Sequence, residues 1–485
     1  MSLSSALSIA QSSLKATSRQ TSIVSRNVAD ASNPDYSRRI AMLSYTDPGV
    51  SAVKIHRAAN DLLFRQNLSA LSSWSGQATL AQGMDRLELQ VNGVDNAASA
   101  STAIGALQKA LQLYATTPSN QNLGTSLIES ARQVIRSLND GTKAIQDFRT
   151  KTDGEITTAV NDMNDLLKQF EVANQAVING TRSGEDVSDA LDQRNAVLKK
   201  LSEFVPISTY TRGDNDMVIT TGDGTTLFET IPRSVTFTPS PGYAPGVVGG
   251  QIYIDKVPLK VAGTAEASGK LAGMLQLRDN VSVTMQRQLD EVARGLITAF
   301  AETAPGQPDA VGLFSWPGAP GIPPAGTLID GLAGTIKINA AVDPAAGGNP
   351  VLLRDGGING AAYRTNPAAP GSGASYADRL IAYGEKLTKP IAFDANAGIT
   401  ANSSVVSYAA SSIGWFEGAR QQASNLADSK EALAQRTGEA LSNATGVNVD
   451  NEMSLMLDLE HTYQASARIL TTVNQMLDAL LAAVK

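Results

Sequence analysis

The sequence predicts a mainly α-helical chain with a β-rich insert. Its N- and C-terminal helices pair as a coiled-coil-like stalk, joined to an antiparallel helical bundle and a small outer β domain. Three observations lead there. First, Met456, Leu459, Tyr463, Ser466, Leu470, Val473, Leu477, Leu480 and Val484 recur at alternating steps of three and four, and no Gly or Pro interrupts residues 451–485. That is the rhythm of a helix that lies along another helix. Second, Leu3, Leu7, Ala10, Leu14, Thr17, Thr21, Val24 and Val28 repeat it at the other end of the chain. Third, the texture turns from helical to β-rich at Pro206 and returns to helical at 268, so the middle is inserted between ends that belong together.

A stripe of this kind is by default the core face of a globular helix. Here Ala and Thr hold three of the eight N-terminal seam positions, and Ser, Thr, Gln and Asn flank them. One buried leucine contributes roughly 1.5–3 kcal/mol, and so few large side chains hardly offset the ordering of the segment. The expectation is that both ends are marginal in an isolated monomer and gain order when copies pack.

In order, residues 2–29 read as the first helix, with Ser2 as N-cap. A turn follows through Asn33, Pro34, Asp35 and Tyr36, where Asn33 is extended because it precedes proline. Residues 40–56 alternate loosely, as a short extended excursion does. Helices are expected at 58–89, 97–115, 119–150, 152–179 (ending at Asn179-Gly180) and 186–203, and their short connections argue for an antiparallel bundle. Strand signals fill 205–262, and a helix returns over 268–303. Residues 304–375 are rich in Gly, Pro and Ala, with a short strand at Thr335-Ile336-Lys337-Ile338. Further helices cover 376–388, 403–442 and 451–485. The domains expected are 1–57 with 446–485 for assembly, 58–204 with 268–303 and 376–445 as the bundle, 205–267 as the β-rich insert, and 304–375 as an irregular region packed on the bundle.

Composition excludes several function classes. A length of 485 residues suggests about three domains at about 150 residues each. Net charge is −7 and no basic cluster occurs, so binding to nucleic acid or anionic lipid through bulk charge is not expected. There are no cysteines, which removes disulfides, thiolate metal sites and cysteine nucleophiles. No apolar run reaches the ~18–20 residues of a membrane span. Lys15 and Arg19 come only after a Ser-rich amphipathic start, so no cleaved secretory signal is expected.

No stretch of the sequence completes a catalytic or ligand-binding motif. His56 and His461 stand at opposite ends of the chain, in no metal-binding spacing. Gly263 to Lys270 is one residue too long for a phosphate loop, and Leu271 replaces its Ser/Thr. Asp214, Asp216 and Asp223 lack the closing Glu of a calcium loop and fit hairpin turns instead. Arg212-Gly213-Asp214 is too short a motif to specify adhesion. No Gly-x-Ser-x-Gly elbow occurs, and no catalytic residue, cofactor or metal site is expected.

Asn27-Val28-Ala29-Asp30-Ala31-Ser32-Asn33-Pro34-Asp35-Tyr36-Ser37-Arg38 resembles the signature of the flagellar rod, hook and junction proteins. Gly446-Val447-Asn448-Val449-Asp450-Asn451-Glu452-Met453, with Tyr463 to Val473 and Met476-Leu477, is similar to the hook-associated family of the hook–filament junction. Leu191-Asp192-Gln193-Arg194-Asn195 is similar to another stretch of that family. Asn33 and Asp35 stand where it usually has Thr and Gly; aspartate tolerates a left-handed turn, so the turn is expected to be kept. The resemblance implies export through the flagellar type III pathway without cleavage, an extracellular place at the hook–filament junction, and an annular homo-oligomer. It further implies contacts with hook protein, a second junction protein toward the filament and an export chaperone, with no nucleic acid and no membrane insertion. The seam residues, with Tyr463 and Arg468, are the expected assembly interface, Arg468 either pairing with an acidic neighbour or standing solvated. The alternatives are a hook or rod protein, or a secreted flagellum-borne adhesin or enzyme with its activity in the middle of the chain.

Overall fold

The computed structural model describes residues 3–45, 50–260, 267–369 and 372–483; Ser2 and Val484 lie outside the described residues. Helix α1 (Leu3–Ala29) runs into the Asn33-Pro34 turn. An antiparallel hairpin follows, β1 (Arg39–Tyr45) and β2 (Val50–Arg57), with Ile40 opposite His56 and Met42 opposite Lys54. Asn60 caps α2 (Asp61–Val91) by accepting from the Leu63 amide, and Ser99 caps α3 (Ala100–Thr116) by accepting from the Thr102 amide. Such caps satisfy amides that the first helical turn leaves open.

Two expected helices are one. Helix α4 (Gln121–Ser183) is 63 residues long, about 95 Å at 1.5 Å per residue. The break expected near residue 151 does not occur because no helix breaker stands between Thr150 and Asp153, and Gly154 faces open space. The helix also passes Asn179-Gly180, where a Cβ on Gly180 would meet Val187 Cγ1 at 2.5 Å. It stops at Gly184, whose φ of 74° forms a left-handed C-cap. Helix α5 (Ser188–Phe204) leads into the insert.

The insert holds two small antiparallel sheets, β3 (Ile207–Thr211), β4 (Met217–Thr221) and β5 (Thr226–Phe228), then β6 (Val235–Thr236), β7 (Tyr253–Ile254) and β8 (Val257–Pro258). Asp214 and Asn215, both at φ 58°, make the turn between β3 and β4. Helices α6 (Lys270–Gln276) and α7 (Ser282–Ala299) are joined without a break by a π-helical turn over Leu277–Val281. The Gly/Pro-rich region contains β9 (Phe314–Ser315), helix α8 (Leu332–Thr335), β10 (Lys337–Ile338) and α9 (Val351–Asp355). Thr335 therefore closes a helical turn, and only Lys337-Ile338 pair as strand, opposite Ser315 and Phe314. Helix α10 (Asp378–Thr388), the pair β11 (Ile391–Ala392) and β12 (Asn402–Ser403), and α11 (Val405–Thr445) complete the bundle, and α12 (Val449–Ala483) ends the described chain.

Two cores sit along α4. Leu127, Ile135, Leu138 and Ile145 join α3, α7, α10 and α11, with Leu313, Phe314, Leu332 and Leu353 of the Gly/Pro-rich region packed into the same cluster. Ile156, Met163, Leu167 and Phe170 join Leu198, Leu201, Leu271 and the insert's Ile219, Phe228 and Ile254. The β-rich insert thus completes a core with α4, α5 and α6.

Candidate assembly surface and its anchor

Helices α1 and α12 lie side by side, antiparallel, with the Ser13 and Ser466 hydroxyls 3.0 Å apart. Ala10, Thr17 and Val24 of α1 and Leu459, Ser466 and Val473 of α12 are buried along the seam. Leu3, Leu7, Leu14, Val28, Met456, Leu470 and Leu477 are half-buried between them. The contact is a shallow two-helix seam, in which small and polar residues let the backbones approach. Tyr463 and Leu480 stand at its edge, 49% and 58% exposed. Arg468 is exposed on the far side of α12 and makes no ion pair among the described residues.

At the foot of the seam a buried polar anchor ties both helices to the bundle. The Asn27 side chain is its centre: Nδ2 donates to the Arg39 carbonyl and to Glu452 Oε2, both at 2.9 Å. Its Oδ1 accepts from the Tyr36 hydroxyl at 2.8 Å and the Arg39 amide at 3.0 Å. Both donors and both acceptor sites of the amide are thereby satisfied. Glu452, fully buried, also accepts from Arg38 Nε at 2.6 Å. Asp192 of α5 receives Arg39 Nη2 at 2.5 Å and Arg57 Nε at 2.7 Å, so it fastens the base of the hairpin to the bundle. Burial pushes the Tyr36 hydroxyl above its ordinary pKa, against the pull of Arg39 and Arg26. For Asp189 burial acts upward too, but hydrogen bonds from Arg26 and Arg39 outweigh it and hold the carboxyl below its usual range.

The turn motif joins the same anchor. Asn33 Oδ1 accepts from the Asp35 amide at 3.0 Å, and the Tyr36 amide donates to the Asn33 carbonyl at 3.1 Å. Asp35 pairs with Lys199 at 2.9 Å. Its φ is not positive, which corrects the expected left-handed turn: the Asn33 side chain closes the turn, so no glycine is required. A cavity of about 400 Å³ lies beside Pro34, bounded by the starts of α2 and the end of α11. Among the described residues no cluster of His, Cys, Asp or Glu could hold a metal ion, and no helix is long and apolar enough to cross a membrane.

Residues 84–308 match the family described as flagellar hook-associated protein FlgK, helical domain. Residues 440–483 match the C-terminal segment of the flagellar basal body rod FlgEFG proteins. Over residues 84–308 the chain is similar to the flagellar hook-associated proteins. Flagellar hook-associated protein 1 of Bacillus subtilis is 20% identical over 98% of this chain and 97% of its own length. The same-named protein of Salmonella typhimurium is 21% identical over 61% of this chain and 56% of its own. The flagellar hook junction protein FlgK from Burkholderia pseudomallei has the same fold, with a TM-score of 0.58 at 13% identity, over 78% of this chain and all but 1% of that one (99% covered). The α12 segment is of a kind found in rod proteins as well, so it is the helical domain that separates hook-associated chains from them.

In this chain the three stretches that carried the resemblance meet at one place. Asn27 to Arg39, Asp192 and Glu452 are far apart in sequence and share one hydrogen-bonded cluster. Sequence reasoning named the turn residues and the seam but not Asn27, Arg39, Asp192 or Glu452 as site residues. The available signal was polar residues inside motif stretches that otherwise read as helix, and periodicity alone gives no partner for them.

Proposed function

We propose that this chain is a structural component of the bacterial flagellum that self-assembles into the layer connecting hook to filament. Its stalk, α1 with α12, forms the contact between copies, and the polar outer face of α1 (Ser8, Gln11, Ser18, Ser22) lines the path of exported subunits. The chain leaves the cell by the flagellar type III route without cleavage and meets hook protein on one side and a second junction protein on the other. An export chaperone holds the apolar C-terminal segment beforehand. The role is mechanical and non-enzymatic.

One observation carries this reading: the termini pair along a seam that covers only one side of α12, leaving Leu457, Ile469, Met476 and Leu480 each more than half exposed. Large apolar side chains in that number on one helix mark an interaction surface. Deleting 451–485 tests it. The expected product keeps the bundle folded and soluble but fails to attach filaments to hooks. Filament attachment and motility that survive the deletion overturn the reading.

A further inference from the structure

We infer that neighbouring copies meet through a second contact, separate from the α1–α12 seam, in which the outer face of one copy's β1–β2 hairpin receives the outward ridge of the next copy's α12. This rests on the proposed self-assembly.

The hairpin packs one face on α1 and turns the other to solvent. Strand alternation puts Ile40, Met42, Lys54 and His56 on that outer face. Ile40 is 39% and Met42 56% exposed. A two-stranded hairpin is at best marginal by itself, and α1 covers half of this one. Helix α12 has a matching surface. Asp450, Met453, Leu457 and Glu460 recur at steps of three and four, all exposed, about 100–180° around the helix from Leu459 at roughly 100° per residue. Met453 is 46% and Leu457 55% exposed. Each surface is an apolar pair with charge beside it, basic on the hairpin and acidic on the helix.

The two surfaces also match in height. Asn27 Nδ2 bridges the Arg39 carbonyl and Glu452, so those two residues share one level. Both elements leave it in the same direction: α12 brings Ser466 to Ser13, and the hairpin brings Val53 beside Ser12 and Arg19. At about 3.3 Å per strand residue, Ile40 with His56 stands ~3 Å along and Met42 with Lys54 ~10 Å along. At 1.5 Å per helical residue, Met453 stands ~1.5 Å, Leu457 ~7.5 Å and Glu460 ~12 Å along. Rotation about an axis parallel to the stalk preserves height. It therefore carries Met453 to the level of Ile40, and Leu457 and Glu460 to the level of Met42 and Lys54. A contact between two different surfaces, repeated by a rotation that closes, makes a ring, and the Lys54–Glu460 pair at its rim fixes register.

The absence of native cysteine makes introduced thiols unique reporters. The full-length chain carrying Met42→Cys with Leu457→Cys is assembled in flagella and treated with a short bis-maleimide. The expected result is a ladder of covalent multimers on denaturing gels, with each single variant giving nothing beyond a dimer. In parallel, Lys54→Glu and Glu460→Lys each lower the assembled fraction about tenfold, and the charge-swapped double variant recovers most of it. Intact assemblies that yield no ladder, with no recovery in the swap, overturn this contact and leave the stalk reading standing. A wild-type chain that forms no assembly overturns both.

Discussion

Asn27 uses every hydrogen-bonding site of its amide inside the anchor, and no other side chain of its size offers two donors and two acceptors in that shape. Asn27→Ala leaves the Tyr36 hydroxyl, the Arg39 amide and part of Glu452 without partners. The expected cost is on the order of 3 kcal/mol, read as a lower urea midpoint with an unchanged slope. Asp290 gives a second test at this scale. Burial pushes its carboxyl up to about 7, only partly offset by amide donors from Ala333, Gly331 and Gln286. A carboxyl raised from near 4 when folded binds its proton more tightly than the unfolded chain does, so stability falls as pH rises from about 4 to about 7 and levels off above. An NMR titration of the Asp290 carboxyl should show a midpoint near 7. Asp290→Asn should flatten the slope over that window, at some cost of its own, because its amide nitrogen would face the Gly331 amide. Neither residue was legible as a site in the sequence. Asn27 and Glu452 are separated by 425 positions, and the apolar spacing that located their helices says nothing about which polar groups meet.

Among the elements, those with a strong period were legible and those set by neighbours were not. The seam residues of α1 and α12 follow from spacing alone. The continuity of α4 does not, since the decision between one helix and two fell on Thr150-Lys151-Thr152, where tertiary packing overrides the weak helix propensity of the two threonines. The π-helical turn has no residue signature either, yet it delivers Arg278 to Asp153 at 2.7 Å and to the Gly250 carbonyl at 2.7 Å, fastening the insert to the bundle. Close backbone approaches make a further prediction. A Cβ on Gly76 of α2 would meet the Ala267 carbonyl oxygen at 2.3 Å, whereas one on Gly154 of α4 meets nothing within 4 Å. Gly76→Ala should destabilise by roughly 1–3 kcal/mol, and Gly154→Ala should stabilise by roughly 0.5–1 kcal/mol. Calorimetry of the two variants reads both signs.

At the scale of the whole molecule, the out-and-back order was legible because the texture changes at Pro206 and returns near 268. The packing of residues 304–375 was not, because Gly, Pro and Ala carry no period while Leu313, Phe314 and Leu332 enter the main core. The thin seam between the termini leads to a prediction of its own. The purified monomer should gain helicity by circular dichroism when it assembles, since the stalk has little apolar burial until neighbours cover it. A monomer already at full helicity would contradict that. Helix α4 runs through both hydrophobic clusters and abuts, through α5, the polar knot at the base of the termini. In the proposed junction, torque arriving at that base meets a single unbroken spar, so that the two halves of the body twist together rather than slip past one another, as a coupling in a rotating shaft must.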